Sequence, residues 1–185
     1  MSINNDATLV VSGGHFYTAD YSSASPVALP TDLSAPGAEW TEVGHTSLDN
    51  IITMTSDGGD ATVIGTLQNK TLRTTYSPRT ETIGFTLEQF DVAGLKLFYG
   101  SNATVGAGGE VQVPVDPTPT VASFLVVFKD GDNEFAFYAP KAEIYRGDDL
   151  AIGDTESLAG MPLSVKPMVH GTNKWAFAVT PLGTV

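Results

Sequence analysis

Val121-Ala122-Ser123-Phe124-Leu125-Val126-Val127-Phe128-Lys129 runs into Asp130-Gly131-Asp132-Asn133 and then Glu134-Phe135-Ala136-Phe137-Tyr138-Ala139. The first segment is the most apolar strand in the chain, and residues 124–128 are its longest unbroken apolar run. That run is far short of the ~20 residues a membrane helix needs. The Asp-Gly step suits a hairpin turn. The stretch therefore predicts two paired, well-buried strands.

Strand signals continue on both sides. Strands are expected near 51–55, 61–67, 71–76, 81–85, 142–145, 163–169 and 174–180, with a turn at Asp57-Gly58-Gly59-Asp60. Residues 7–19, with Gly13-Gly14, read as an N-terminal strand or hairpin. One helix is predicted over 86–99. Thr86 and Gln89 have capping-box spacing, Phe85 and Phe90 have staple spacing, and Gly100 is a stop. Leu87, Phe90, Ala93, Gly94 and Leu97 would form its core-facing side. Residues 20–39 contain Pro26, Pro30 and Pro36, show no period, and predict a long extended arm. Its two readings are a surface loop and a segment that orders only against a partner. Residues 101–120, with Pro114, Pro117 and Pro119, predict a second loop. The fold class expected is mainly β. It is a β-sandwich or barrel with one α-helix at its edge, a long N-terminal arm and loops, in a single domain over 1–185.

Composition narrows the function. The 185 residues include no cysteine, which excludes a disulfide scaffold, a thiol nucleophile and a Cys-ligated zinc site. With 9 basic and 21 acidic residues the net charge is −12, which disfavours gripping nucleic acid. Residues 1–69 carry no Lys or Arg at all. The N-terminus has no basic, apolar leader pattern. Asn69-Lys70-Thr71 and Asn102-Ala103-Thr104 match the glycosylation pattern, which in a Thr-rich chain without a leader reads as coincidence.

Catalytic signatures are missing: no G-x-S-x-G elbow, P-loop, dinucleotide glycine pattern or HExxH is present. His15, His45 and His170 are far apart in sequence. Asp130–Glu134 resembles the start of a calcium loop, but Phe135 and Lys141 stand where Gly and Glu are required. No metal or cofactor is expected. Period-2 alternation sets Thr71, Arg73 and Thr75, then Thr80, Thr82 and Thr86, then Ser164 and Lys166 on polar faces. The opposite faces carry Leu72, Tyr76, Ile83, Phe85, Leu163 and Val165.

The order of segments carries further information. Gly13-Gly14 with Phe16-Tyr17-Thr18-Ala19 precedes the Pro-punctuated arm. Ala38-Glu39-Trp40-Thr41-Glu42-Val43-Gly44-His45-Thr46-Ser47 follows, then Phe85-Thr86-Leu87-Glu88 and Leu97-Phe98-Tyr99-Gly100. Tyr138-Ala139-Pro140-Lys141-Ala142-Glu143-Ile144 and Pro162-Leu163-Ser164-Val165-Lys166-Pro167 close the set. Over nearly the whole chain this resembles the major tail tube protein of long-tailed, non-contractile bacteriophages, particularly those of actinobacteria. Such proteins often carry an extra C-terminal immunoglobulin-like domain, which a chain stopping at Val185 is expected to lack.

The resemblance implies a non-enzymatic virion subunit. It would form hexameric rings that stack into a tube, with tape measure, tail tip and terminator proteins as further partners. Double-stranded DNA would pass through without specific binding. The polar residues Thr71, Arg73, Thr75, Thr80, Thr82, Ser164 and Lys166 then become candidates for the lumen wall. Asp20, Pro26, Pro30, Asp32, Pro36, Glu39, Trp40, Asp116 and Pro117 become candidates for inter-subunit arms, and Leu87, Phe90 and Leu97 for the core side of the helix. Arg73, Arg79, Lys129, Lys141 and Arg146 are available to pair with a neighbour's acidic arm. The rival reading is a monomeric or small-oligomer β-sandwich that binds a receptor or glycan, or decorates a virion, through exposed Trp40 and Trp175.

Overall fold

A computed structural model describes residue 3 and residues 7–49, 51–150, 152–153, 155–171 and 173–182. Apart from Ile3, the opening residues read above for a leader lie outside the described residues, as do 183–185. The strands are β1 (Gly13–Asp20), β2 (Thr41–Glu42), β3 (Thr53–Gly58), β4 (Ala61–Ile64), β5 (Arg73–Tyr76) and β6 (Arg79–Leu87). After helix α1 (Val92–Tyr99) come β7 (Thr104–Val105), β8 (Val111–Gln112), β9 (Thr120–Asp130), β10 (Asn133–Arg146), β11 (Met161–Pro167) and β12 (Ala178–Val179).

The main sheet is antiparallel, in the order β2-β1-β9-β10-β11-β6-β3, with β12 added to β10. It curls over on itself. Phe16 of β1 stacks on Phe85 of β6 with ring centroids 4.6 Å apart, although three strands separate β1 from β6 in the order. A strap at 43–47 ties the two layers: Val43 N–H donates to Phe16 O (2.8 Å) and Ser47 N–H to Thr86 O (2.9 Å). The mainly β class with one helix is the architecture the sequence predicts.

The apolar stretch quoted above is the centre. Phe124, Val126 and Phe128 enter the interior cluster with Phe16, Phe85, Leu87 and Leu163. Leu125 and Val127 point the other way, into a second cluster with Trp40, Ala136 and Tyr138. β9 is thus buried on both faces, which is why it reads as a continuous apolar run instead of an alternating one. Asp130-Gly131-Asp132-Asn133 is the expected turn, closed by the Asn133–Asp130 pair.

Several boundaries differ from expectation. The predicted strands at 134–139 and 142–145 are one strand, β10, with the irregularity at Pro140-Lys141 absorbed as a bulge. Ser123 Oγ donates to the Pro140 carbonyl there (2.9 Å), satisfying both buried groups. The 101–120 loop contains the small hairpin β7–β8.

The helix has 8 residues and starts six positions later than predicted, at Val92. Leu87 is fully buried at the end of β6, paired with Met161, so the ladder keeps this residue from entering a helix. Asp91 is the N-cap, its carboxylate accepting from Gly94 N–H at 2.7 Å. Gln89, expected to complete a box with Thr86, instead contacts Asp91 and the His45 N–H. Phe90 is 41% exposed, and Phe98, not Phe90, anchors the helix in the core. Leu97 packs at the margin of the interior cluster. Gly100 is the expected stop, with φ 109°.

Asp57-Gly58-Gly59-Asp60 does not reverse the chain. The β3–β6 pairing, Thr53↔Gly84 to Gly58↔Arg79, and the β4–β5 pairing, Ala61↔Tyr76 to Ile64↔Arg73, keep a single register. Asp60 and Ser77 join them, with Asp60 N–H donating to Ser77 Oγ (2.9 Å) and Ser77 N–H to Asp60 O (3.1 Å). The pair forms one long hairpin kinked at Gly58 and Gly59, whose φ values of 87° and 74° side-chain-bearing residues rarely adopt. At about 3.3 Å per residue, the arm over 53–64 is roughly 35–40 Å along its path. The reversal comes later, at 65–72.

Truncating Phe85 to Ala is expected to cost about 3–5 kcal/mol, whereas Phe90→Ala costs under ~1 kcal/mol; urea denaturation separates them. Asp91→Ala should cost about 1 kcal/mol near neutral pH. The Gly94 N–H, and then the Gln89 amide, hold the Asp91 carboxyl below its ordinary value. That stabilisation is present above the unfolded pKa of about 3.9 and fades as pH falls through the lower folded value. The two proteins should therefore converge in stability in strong acid.

Candidate functional site: surfaces for assembly

The layer β3–β6–β11 shows how alternation sorts the predicted polar residues. Ile83, Phe85, Leu87, Leu163 and Val165 point inward and are buried. Thr80, Thr82 and Thr86 stand on the opposite side of β6, beside Ser164 and Lys166 of β11. Pairing adds Thr53 and Thr55 on β3 and sets Lys166 opposite Glu143 on β10. The structure therefore gathers Thr80, Thr82, Ser164 and Lys166 on one hydroxyl-rich face. Arg73 and Thr75 lie beyond the kink on β5, and Thr71 lies in the loop before it. These three are separated from that face.

The outer hairpin stands away from both apolar clusters. Val63, Ile64, Leu67, Leu72 and Tyr76 are all at least half exposed. Its loop is held by its own bonds: Thr66 N–H to Asn69 O (2.7 Å) and Thr71 N–H to Asn69 Oδ1 (3.1 Å). Residues 61–80 contain Lys70, Arg73 and Arg79 and no carboxylate, in a chain of net −12. The outer edge of β3 has no partner strand among the described residues, so its N–H and C=O groups are open to pairing. Composition alone did not reveal this surface, because the turn signal at 57–60 divided one long hairpin into two short ones.

The 20–39 arm packs on its own subunit. Asp20 ends β1, and beyond it the chain crosses the outer face of β1–β9–β10. Val27, Leu29 and Leu33 pack on the second cluster, and Tyr138 Oη donates to Val27 O at 2.7 Å. Pro26, Pro30 and Pro36 keep this cover extended by fixing φ. Asp32 turns the chain by accepting from the Ser34 hydroxyl and N–H, which hold its carboxyl below the ordinary value. Trp40 is 7% exposed and sits edge-on to Tyr138, so it is a core residue of this subunit and not an exposed ligand contact. Trp175, at 43%, is exposed. Asp20 and Glu39 line a cleft of about 600 Å³ with Thr18, Thr41 and Leu97. Asp116 and Pro117 lie in the bent segment before β9.

The three histidines stay apart. His15 meets Glu42 at 2.6 Å, His45 N–H approaches Gln89, and His170 approaches Ser22 O at 3.3 Å. Burial, and then the Glu42 and Glu134 carboxylates, push the Tyr17 hydroxyl above its ordinary value. Among the described residues, no three His, Asp or Glu side chains gather as a metal site, and no helix is long and apolar enough to cross a membrane.

Comparison with known proteins agrees with this picture. A family described as phage tail tube protein matches residues 1–179. The major tail protein Gp23 of Mycobacterium phage D29 is 36% identical over 180 residues, covering 92% of this chain and 89% of the relative. Gp23 of Mycobacterium phage L5 shows the same identity and coverage.

Replacing residues 61–76 by a two-residue turn should change monomer stability by less than ~1 kcal/mol, because almost every side chain removed is exposed. Trp40→Ala should cost about 3–5 kcal/mol. Denaturant melts below the assembly concentration check both.

Proposed function

The chain belongs to the phage tail tube protein family, and from that premise we propose that it forms hexameric rings that stack into the tail tube, through which DNA is ejected into the host. As a major tail protein it is a structural component of the virion tail and not an enzyme. The observation that carries the finer reading is the projecting hairpin. It is ordered and long, carries apolar side chains into solvent, and ends in a loop with basic but no acidic residues on a strongly acidic subunit. A neighbouring copy supplies both an apolar surface and opposite charge.

Ring and tube need different geometries from unlike surfaces. A heterologous contact whose rotation closes gives a ring, and one that does not close grows along an axis. The open edge of β3 offers strand pairing around the ring, and the hairpin offers reach toward the next one. The face bearing Thr53, Thr55, Thr80, Thr82 and Ser164 is assigned to the lumen. Hydroxyls hold water, and a wall poor in Lys and Arg leaves DNA phosphate few places to bind. Lys166 opposite Glu143 adds no net positive charge. Other tail proteins would meet the two open ends of the stack.

Electron microscopy over a concentration series tests the reading. Rings or tubes of constant diameter that lengthen with concentration are expected. A protomer-sized particle at every concentration, even with tail-tip complex added as template, would overturn it. Reversing Lys70, Arg73 and Arg79 to Glu should raise the concentration needed for tubes about tenfold, at roughly 0.5 kcal/mol per exposed pair. The monomer melt should be unchanged.

A further inference from the structure

A groove of about 420 Å³ lies between the arm and β10. Pro26 and Leu29 of the arm form one wall, Trp175 and Ala178 the other, with Tyr138 and Pro140 between them. Tyr138 has its hydroxyl bound to Val27 O, so its ring is the part presented, 6.4 Å from the Trp175 ring. No carboxylate lines the groove. Two of the chain's nine basic residues flank it in sequence: Lys141 follows Pro140, and Lys174 lies between the lining residues Asn173 and Trp175. Lys141 Nζ rests 5.4 Å from the centroid of the Tyr21 ring, on the arm.

The same chain carries a projection that fits it. Val113-Pro114-Val115-Asp116-Pro117-Thr118-Pro119 bends at Val115 and Asp116, and Val115 is 97% exposed. Hydrogen bonds tie down the bend on its C-terminal side. Asn102 Nδ2 donates to Asp116 O and Thr118 N–H donates to Asn102 Oδ1, each at 2.9 Å. Ser101 N–H donates to Thr118 O at 2.8 Å, and three prolines restrict the backbone further. The fold therefore holds an apolar side chain out in water, with a carboxylate next to it. Pre-organisation of this kind lowers the entropy lost on docking.

We infer that the 113–119 loop of one subunit seats Val115 in the Trp175 groove of a second copy, with Asp116 facing Lys141 and Lys174. The proposal rests on the self-assembly reading above and names a contact within it. Charge selects the groove. The larger cleft is lined by Asp20 and Glu39, where Asp116 would meet like charge. The apolar notch of about 250 Å³ beside Phe98 and Tyr145 includes Val113 and Pro117, so it forms the base of the loop itself. Loop and groove are unlike surfaces, so the contact is head-to-tail and repeats from copy to copy.

The absence of native cysteine makes the test clean. Val115→Cys and Ala28→Cys subunits, both changed at exposed positions, are mixed, assembled and treated with a short bismaleimide. Cross-linked dimers are expected from the assembled mixture and from neither variant alone. Assemblies that form without this cross-link overturn the groove assignment and leave the tube reading standing. So does a cross-link from Leu67→Cys to Ala28→Cys, which would make the hairpin the occupant. Subunits that stay monomeric under all conditions overturn both. Asp116→Lys should raise the assembly concentration several-fold, and adding Lys141→Glu with Lys174→Glu should restore it. Failure of that rescue in folded, assembling subunits also counts against the pairing.

Discussion

From Phe124 to Phe128 five consecutive apolar side chains leave the backbone on alternate sides of the sheet, and both sides must be kept from water. On the inner side this is achieved by curling the sheet until Phe16 meets Phe85. On the outer side the segment between β1 and β2 serves as the cover, bringing Val27, Leu29, Leu33 and Trp40 across β9 and β10. The strap at 43–47 follows from this. Once the arm has crossed the outer face, the chain must return to the far layer, and it does so by bonding first to β1 and then to β6.

A core closed on both faces leaves the long hairpin outside it. Its inner half belongs to the main sheet through β6, and its outer half continues the same ladder into solvent. One register spans both halves, so the projection continues the ladder of β3 and β6 past the kink at Gly58 and Gly59. Exposed Val63, Ile64, Leu67, Leu72 and Tyr76 would be an aggregation liability in a monomer. In the assembly proposed above, a neighbouring copy would cover them. The acidic charge of the rest of the chain disfavours indiscriminate clustering, while the basic loop favours association in a defined orientation.

The hydroxyl-rich face over β3, β6 and β11 suits the lumen role proposed above. A conduit for a polyanion would gain from surfaces that stay hydrated without offering an array of cations. Threonine suits this position twice over, since its branched Cβ also favours strands. The same residue choice thus supports the local structure and the surface chemistry.

The residue order alone determined the β class, the central apolar pair and its Asp-Gly turn, the stop at Gly100 and the lack of any local catalytic signature. These depend on neighbours in sequence or on composition, and so they are legible there. The arm at 20–39 was visible as irregular, but whether it orders on its own sheet depends on Leu125, Val127 and Tyr138, about a hundred residues away. Thr86 and Gln89 had the spacing of a capping box, and pairing of β6 with β11 overrode it because Leu87 is worth more buried in the core than on an exposed helix turn. The glycine pair at 58–59 permits either a reversal or a kink, and only the partner strand beyond it decides. The sequence thus set which residues seek burial or strand pairing, and tertiary structure decided which distant residues satisfy them, because a side chain's partner is chosen by proximity in the curled sheet and not along the chain.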